Sequence, residues 1–471
     1  MKPLSAFPLL ALLAGCVGAP ATPPRPAPVK VPAAFAADQS GEAASLAQWW
    51  QGWGDPALDH LVEQALAANP DLRAASAHVA ASRALVSVAE GALYPTVAAQ
   101  GAVWGGYSDA SADGALGQVF SPYVSTGTMQ ARSVNLGASW EPDLFGGRHA
   151  DVDAARALMQ SVDLGLQGMR LTVAADVVEN YQQTQGLRLR LALLDRSIAT
   201  AQTLVAYAQA RMSAGQANAG DITRAQTEME KLSAQRAPLL ALIDARRRRL
   251  AVLAGLAPEQ TVELSAPDRL VTPPAPGGQL PSSVLLRRPD VQARSALTQM
   301  HAARLKSLKA DLMPRFGIQF LGGTGTLALS GLPGYGGNNA LAGVTASVPI
   351  FTGGRLRARV VAGDAELTAA LANQDKAVLQ ALEEVEAAYG FRHGLDERIV
   401  GLEQARALTA RRMIEVQAFF RSGRATRGDA LQAELADLDA QDRLEQARIA
   451  RASATIQLMR ALGGGWGASP L

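Results

Sequence analysis

The chain has 471 residues, of which 48% are hydrophobic and 18% are charged, and its formal net charge is +2. A charge so close to zero excludes the strongly basic surface by which proteins bind nucleic acid. The single cysteine, Cys16, excludes an intrachain disulfide, and the five histidines lack the spacing of metal ligands. We expect no cofactor, no bound metal and no enzymatic activity.

The N-terminus has the features of a secretory signal. Residues 1–15 contain a charged start at Lys2 and a short apolar stretch that is too short to span a membrane. The stretch ends in Leu13-Ala14-Gly15-Cys16, which resembles the cleavage box of bacterial lipoproteins. That resemblance implies lipidation of Cys16; the alternative is an ordinary signal peptide with an incidental cysteine. Residues 16–48 then form a tether that is rich in proline and alanine.

Four segments of about ten residues alternate apolar and polar side chains, which predicts β-strands of membrane-spanning length. They lie at about 97–107, 133–141, 315–327 and 340–350, and Gly- and Ser-rich stretches at 108–132 and 322–339 are predicted surface loops. Four strands leave two open edges, which hydrocarbon does not tolerate. Three chains would supply a closed twelve-stranded barrel. The alternative from the strands alone is a pair of soluble hairpins.

Two proline-free segments predict very long helices. Residues 147–211 and 354–421 would each extend roughly 100 Å at the rise of an α-helix. Gly186 and Gly394 occupy equivalent places in them and are predicted to mark a kink or a widened turn. After each long segment, apolar residues recur with heptad spacing, which is typical of coiled-coil packing. A simple helical hairpin in a bundle core would show the same pattern.

The chain contains an internal duplication. Leu93-Tyr94-Pro95 recurs as Leu312-Met313-Pro314, an offset of 219, whereas Gly146-Gly147 recurs as Gly353-Gly354 and Gly215 as Gly423, offsets of 207 and 208. We therefore predict a first repeat at 49–267, a linker at 268–281, a second repeat at 282–463 and a tail at 464–471. The fold class that follows is mainly α with a membrane β-barrel.

Three motifs carry a resemblance to a known family. They are Trp140-Glu141-Pro142-Asp143-Leu144-Phe145-Gly146-Gly147, Val348-Pro349-Ile350-Phe351-Thr352-Gly353-Gly354-Arg355 and Arg287-Arg288-Pro289-Asp290-Val291. They resemble the TolC-like outer-membrane efflux proteins, in particular the lipoprotein branch of the NodT/OprM type. The resemblance implies a homotrimer with a β-barrel in the outer membrane of a Gram-negative bacterium and an α-helical barrel in the periplasm. Its implied role is the exit duct for small molecules such as drugs, in contact with outer-membrane lipid, a periplasmic adaptor and an energised inner-membrane transporter, with the RND type expected.

The resemblance also assigns roles to particular residues. The strand-to-helix joints contain Asp143, Gly146, Gly147, Gly353 and Gly354. The two helix–turn–helix tips are expected to dock the adaptor and to close the tube, and they contain Gly215, Gly220, Asp221, Arg421, Gly423, Arg424, Arg427, Gly428 and Asp429.

Two structural alternatives apply to the tips. The aspartates have a complete explanation as helix caps. The three arginines are either a solvated basic surface or, in three copies, a basic ring that concentrates anions.

Two other functions compete with the efflux duct. One is a duct for type I protein secretion, and the other is a periplasmic coiled-coil lipoprotein that scaffolds the envelope without a pore. Membrane-length strands favour a pore over a scaffold, and the lipoprotein box favours efflux over protein secretion. The exported substrate cannot be inferred from these residues.

Overall fold

The computed structural model describes residues 29–36, 46–108, 127–260, 262–266, 269–329 and 333–464. Cys16, the signal and most of the predicted tether and tail lie outside these residues. The described helices are α1 (Pro56–Ala68), α2 (Pro70–Gly91), α3 (Gly147–Ser213), α4 (Ala219–Leu253), α5 (Pro281–Arg287), α6 (Pro289–Ala310), α7 (Arg355–Arg421) and α8 (Arg427–Ala461). The strands are β1 (Thr96–Ser108), β2 (Gly127–Trp140), β3 (Arg315–Leu329) and β4 (Tyr335–Ser347).

Helix lengths confirm the internal duplication. Helices α3 and α7 both contain 67 residues, α4 and α8 both contain 35, and α2 and α6 both contain 22. Both long helices run without interruption past Gly186 and Gly394. A Cβ atom on Gly186 would lie 2.3 Å from Cγ1 of Ile449 in α8, so this glycine permits close helix packing. Among the described residues, no helix combines the length and the hydropathy that a membrane span requires.

The chain divides into two compact units. The first unit includes, among the described residues, 84–108, 127–157, 298–329 and 333–372. Its centre is a four-stranded antiparallel sheet in the order β1-β2-β3-β4. The central pairing, β2 with β3, joins the first repeat to the second, and it places Asn135 opposite Gly323. Strands β1 and β4 form the two edges of this sheet.

The predicted strand limits need correction. Strand β2 begins at Gly127 instead of 133, and β4 begins at Tyr335 instead of 340, so residues 127–132 and 335–339 of the two predicted surface loops are strand. The prediction took stretches rich in glycine for loops, but in this sheet glycine also occurs where neighbouring strands approach closely. A Cβ on Gly323 would lie 2.2 Å from Oδ1 of Asn135 on β2, and glycine in a strand marks such a close approach. Strand β4 ends at Ser347, before Pro349, which has no N–H group for a ladder.

The second unit includes, among the described residues, 29–36, 46–83, 158–260, 262–266, 269–297 and 373–464. It contains the largest hydrophobic core, in which Trp49, Trp50 and Trp53 of a short 3₁₀-helix pack with residues of α1, α3 and α8. Arg288 is buried and contacts three helices of this unit. Its guanidinium contacts Asp290 at 2.7 Å and Glu384 at 2.6 Å, and it donates to the Ala461 carbonyl at 3.0 Å. The Arg-Arg-Pro-Asp motif thus links α6, α7 and the end of α8.

A buried hydrogen-bond cluster surrounds Tyr181 of α3. The Tyr181 hydroxyl donates to Oδ2 of Asp55 at 2.6 Å and lies 2.9 Å from Oγ of Ser265. Partial burial alone would raise the pKa of Asp55, but hydrogen bonds from Ser265 and Tyr181 lower it below its usual value. Burial and the Asp55 carboxylate raise the pKa of the Tyr181 phenol. The cluster holds the segment after α4 and the start of α1 against α3.

Replacing Tyr181 with phenylalanine should destabilise the second unit by about 1–3 kcal/mol, because Asp55 loses a donor in a partly buried site. The counterpart Tyr389→Phe is the matched control. It loses the bond that its hydroxyl donates to the neutral carbonyl of Pro276 and should cost about 1 kcal/mol. Thermal unfolding of both purified variants measures the difference. Equal losses in the two variants would contradict a special role for the Asp55 contact.

Candidate functional site

The first strand-to-helix joint lies between β2 and α3. Oδ2 of Asp143 accepts from the backbone N of His149 at 2.8 Å and contacts its Nδ1 at 2.6 Å. Burial would raise the pKa of Asp143, but the hydrogen bonds from His149 and Arg148 lower it. Arg148 pairs with Glu141 at 3.3 Å across the joint. The Asp143 carboxylate, which precedes α3 in the chain, thus accepts from an amide group that the first turn of the helix leaves free.

The two glycines of this joint serve different purposes. Gly146 has φ of 71°, a conformation that other residues rarely adopt. Gly147 has no positive φ; a Cβ there would lie 2.9 Å from Cβ of Ala310 at the end of α6. Glycine at a turn from strand to helix is expected to supply backbone angles that other residues avoid. Gly146 does so, whereas Gly147 is small because α6 approaches closely.

The second joint, between β4 and α7, has two successive glycines with positive φ, whereas the first joint has one. Gly353 and Gly354 have φ of 57° and 80°. Ala150 N donates to Gly146 O at 3.0 Å, and Ala358 N donates to Gly354 O at 2.9 Å, so Gly146 corresponds to Gly354. In the structure the two repeats therefore match at an offset of 208 from β2 onwards, and Gly353 corresponds to Phe145.

The two helical tips share one backbone design. Helix α3 ends where Gly215 N donates to Met212 O at 2.9 Å and Gln216 N to Arg211 O at 2.8 Å. Helix α7 ends with the same pair of bonds, from Gly423 to Phe420 and from Arg424 to Phe419. These bonds define the Schellman motif, and the φ values of 70° and 73° at Gly215 and Gly423 are the left-handed conformation that it requires.

A capping box begins the next helix at each tip, and its N-cap residue lies three residues after the glycine. The side chains of Asn218 and Thr426 accept from the backbone N of Asp221 and Asp429, and each carboxylate accepts from the backbone N of its cap residue. This reciprocal pairing satisfies two free amides at once. Asn218 and Thr426 were missed in the sequence, although Asn or Thr three residues before Asp is the signal for such a cap.

Arg211 lies between the two tips, within the second unit. Its Nη2 donates to Gln216 O at 2.7 Å, and its guanidinium lies 5.9 Å from the centre of the Tyr207 ring. The pKa of Asp221 is lowered first by the Asn218 amide, then by Arg224, and further by the charge of Arg211. The pKa of Asp429 is lowered by its bonds to Thr426 and also by Arg211. One arginine therefore stabilises both carboxylates.

A cleft of about 480 Å³ separates the tips. Its lining includes Tyr207 and Arg211 of α3, Arg224 of α4 and Gln432 of α8. Gly428 also lines the cleft, and a Cβ there would lie 3.0 Å from Cε1 of Tyr207, so glycine lets α8 approach α3 closely at this point. Gly220, the counterpart of Gly428, is exposed.

The three predicted arginines of the second tip are exposed. Arg424 lies 5.0 Å from the centre of the Phe419 ring and donates to Ser422 Oγ at 3.2 Å. Within the part of the chain that the structure describes, no carboxylate lies within ion-pair distance of Arg421, Arg424 or Arg427. The second tip thus presents uncompensated positive charge, in contrast to the paired Arg224 and Asp221 of the first tip. No cluster of metal-ligating side chains occurs in the described segments.

Comparison with known proteins identifies the class. The family described as outer membrane efflux protein matches residues 61–256 and 280–464, once per repeat. This chain belongs to that family.

Among characterised relatives, the chain is similar to the pyoverdine export outer membrane protein OpmQ of Pseudomonas aeruginosa. The two are 28% identical over 99% of this chain and 97% of the relative. The toluene efflux pump outer membrane protein TtgC of Pseudomonas putida is 26% identical over 97% of this chain and 94% of its own length. Among solved structures, the outer-membrane channel OprN matches with a TM-score of 0.80 and 27% identity, over 95% of this chain and 99% of OprN.

Family membership and these structures confirm the fold class that the sequence predicts. Each chain supplies four strands to a twelve-stranded barrel of a trimer, and its long helices supply a third of a helical barrel. The general role of an outer-membrane efflux channel is confirmed with it. The functional roles of the joint and tip residues stay predictions.

Replacing Thr426 with alanine should loosen the start of α8 by about 1 kcal/mol, because its capping box is lost. Amide hydrogen exchange at the first turn of α8 should accelerate roughly fivefold at neutral pH. Ser422→Ala is the control, since it leaves the box intact.

The effect of Thr426→Ala on amide hydrogen exchange should depend on pH. Because the pKa of Asp429 is lowered in the fold, its contribution is present above the unfolded value of about 3.9 and is lost as the pH falls through the folded value. The gap between wild type and Thr426→Ala should therefore narrow in acid. A gap independent of pH would contradict the reciprocal cap.

Proposed function

We propose that this protein is the lipid-anchored outer-membrane duct of a tripartite efflux pump, through which small molecules pass passively from periplasm to exterior. The observation that carries the proposal is a sheet whose two edges, β1 and β4, are unpaired within the chain. Such edges are tolerated in a membrane only if further copies close the sheet into a barrel. A scaffold without a pore needs no strands of 13 to 15 residues.

The partners follow from the same role. A duct in the outer membrane needs a connection to an energised transporter in the inner membrane, and a periplasmic adaptor would supply it. An RND-type transporter fits small-molecule cargo. The names of the relatives support export of small molecules, since one exports pyoverdine and another belongs to a toluene pump. We therefore propose small molecules as the class of cargo.

The tips are the proposed periplasmic mouth. Gly215 and Gly423 create two hairpin ends of the same design, and both ends are the proposed docking points of the adaptor. The exposed arginines of the second tip would stand in threefold array around the opening. Their charge is compensated by no carboxylate among the described residues, which supports an anion-concentrating ring over a neutral surface.

Single-channel recording in planar bilayers tests the duct. The purified protein should insert as a trimer and show discrete conductance steps. A trimer that never conducts, even when the tips are loosened by Thr426→Ala, would favour the scaffold. The Tyr181→Phe variant, whose change is remote from the tip turns in sequence, is a control for general loss of structure.

The arginine ring has its own test. Changing Arg421, Arg424 and Arg427 together to serine should shift the reversal potential in a salt gradient towards cation preference, because the fixed positive charge is removed. The matched triple lysine variant keeps the charge and should keep the selectivity of the wild type. If the serine variant conducts with unchanged selectivity, the arginines are only a solvated surface.

Lipidation is tested at Cys16. We expect the wild-type chain to incorporate labelled palmitate and the Cys16→Ser variant to incorporate none. The variant should still fractionate with the outer membrane, because the strands hold the trimer independently of the acyl chains. An unlabelled wild-type chain would show that the cysteine belongs to an ordinary signal peptide.

A further inference from the structure

The second unit contains a cleft of about 1060 Å³, near the upper end of the range for small-molecule pockets. Four helices of one chain line it, namely α3, the start of α6, α7 and the end of α8. Much of the lining is apolar, and large side chains lie beside small ones. The large ones are Leu164, Leu171 and Phe391, and the small ones include Gly165 and Ala387. The cleft therefore offers an uneven apolar surface to a ligand.

Gly165 keeps space in the cleft open. A Cβ atom on Gly165 would meet nothing within 4 Å, so close packing within the chain does not account for this glycine. Gly186 of the same helix is the contrast, because a Cβ there would lie 2.3 Å from Cγ1 of Ile449. Phe391 of α7, which also lines the cleft, is 59% exposed. An open space and an accessible aromatic ring thus lie in the same cleft.

The charged groups of the cleft favour a positively charged ligand. The side chain of Arg288 is 8% exposed and pairs with Asp290 and Glu384, whose side chains are 58% and 56% exposed. Two accessible carboxylates therefore share one buried guanidinium. Arg460 also lines the cleft, but its guanidinium pairs with Asp176 of α3 at 3.7 Å. An organic cation beside Glu384 would supply the second positive charge that the two carboxylates lack.

One face of α7 combines the carboxylate with the aromatic ring. Glu384, Ala387 and Phe391 follow one another at spacings of three and four residues, so they form a stripe along the helix. The carboxylate and the ring are separated by seven residues, which is about 10 Å of helix. A flat organic cation of that length can place its charge near Glu384 and its apolar body over Ala387 and against the ring of Phe391.

The cleft lies on the side of the long helices that faces away from the segment between α4 and α5. That segment accepts a hydrogen bond from Tyr389 of α7 and contacts the hydroxyl of Tyr181 of α3. Phe391 lies two residues after Tyr389, and Thr172 of the cleft lies nine residues before Tyr181. Both cleft residues therefore project from nearly the opposite side of their helices. Three copies of that segment inside a duct would obstruct it. With that segment on the outside of the duct, the cleft opens into the lumen.

We propose that this cleft is a transit site in the wall of the duct for organic cations with an apolar body. The proposal rests on the proposed duct and narrows the class of its cargo. The apolar walls contact the body of the cation, and the exposed carboxylates of Asp290 and Glu384 pair with its charge. Binding at such a site has to be weak enough for the cation to leave again, as in any conducting pathway.

Fluorescence titration tests the site. The full-length protein in lipid nanodiscs is titrated with ethidium, an organic cation, and the signal of empty nanodiscs is subtracted. The wild type should bind ethidium saturably. Gly165→Phe should lose this binding because the new ring fills the cleft, and α3 should persist because glycine is the poorer helix former. The matched control Ser282→Phe adds the same ring at an exposed position of α5 outside the lining and should bind ethidium like the wild type.

Two further variants separate the ring from the charge. Phe391→Ala should weaken ethidium binding about fivefold, because the aromatic face is lost. Glu384→Gln should weaken the binding of ethidium and should not weaken that of the anionic dye 8-anilinonaphthalene-1-sulfonate, because it removes a negative charge from the cleft. A wild-type cleft that binds the anionic dye more tightly than ethidium would overturn the assignment to cations.

Recording in planar bilayers tests whether the site lies in the duct. Ethidium should interrupt the current of the wild type and should not interrupt that of Gly165→Phe. A current that ethidium never interrupts, despite saturable binding in nanodiscs, would place the cleft outside the lumen and overturn the transit role.

The remaining outcomes separate the cleft from the duct. A conducting protein whose ethidium binding is absent, or survives Gly165→Phe, overturns the cleft and leaves the duct intact. A protein that never conducts overturns the duct and the transit role with it. Ethidium binding that appears only in a Trp466→Ala variant would assign the cleft to the C-terminal tail and overturn the proposal.

Discussion

Unpaired backbone on β1 and β4 is the constraint from which the rest of this protein follows. In hydrocarbon an N–H or C=O group without a hydrogen-bond partner costs several kcal/mol, so an open sheet edge cannot persist there. The four strands are antiparallel neighbours in chain order, and each chain therefore presents two edges. The sheet reaches closure only when other copies pair with them, and one polypeptide is accordingly a fraction of the functional barrel.

The duplication extends this constraint from the strands to the helices. Equal lengths in α3 and α7 and in α4 and α8 let the two hairpins end alike, and both ends use a Schellman motif followed by a capping box. Small residues set the spacing between neighbouring helices. Gly186 beside Ile449 and Gly428 beside Tyr207 each exclude a Cβ that would hold the helices apart. Close packing between these helices thus depends on a few positions.

Sequence patterns predicted those features of the fold that depend on residues close together in the chain. The long helices lack proline, their ends carry glycine, and the alternation of Val134 and Leu136 marks a strand. Features that depend on which segments meet were not predictable. Gly147 is small because Ala310 approaches it, and Gly323 lies inside a strand because Asn135 is opposite. The helix caps Asn218 and Thr426 were readable from their spacing to aspartate, whereas the effect of Arg211 on both carboxylates required the fold.

The position of Arg211 affects how many equivalent sites the tips of a trimer offer to a binding protein. The duplication makes the two hairpin ends alike in backbone, but Arg211 stands at the end of one and Phe419 at the equivalent place in the other. Around a trimer, hairpin ends with an arginine at this position therefore alternate with hairpin ends that have a phenylalanine there. A protein that recognises backbone shape alone would find six equivalent positions, whereas one that recognises the side chain would find two distinct sets of three.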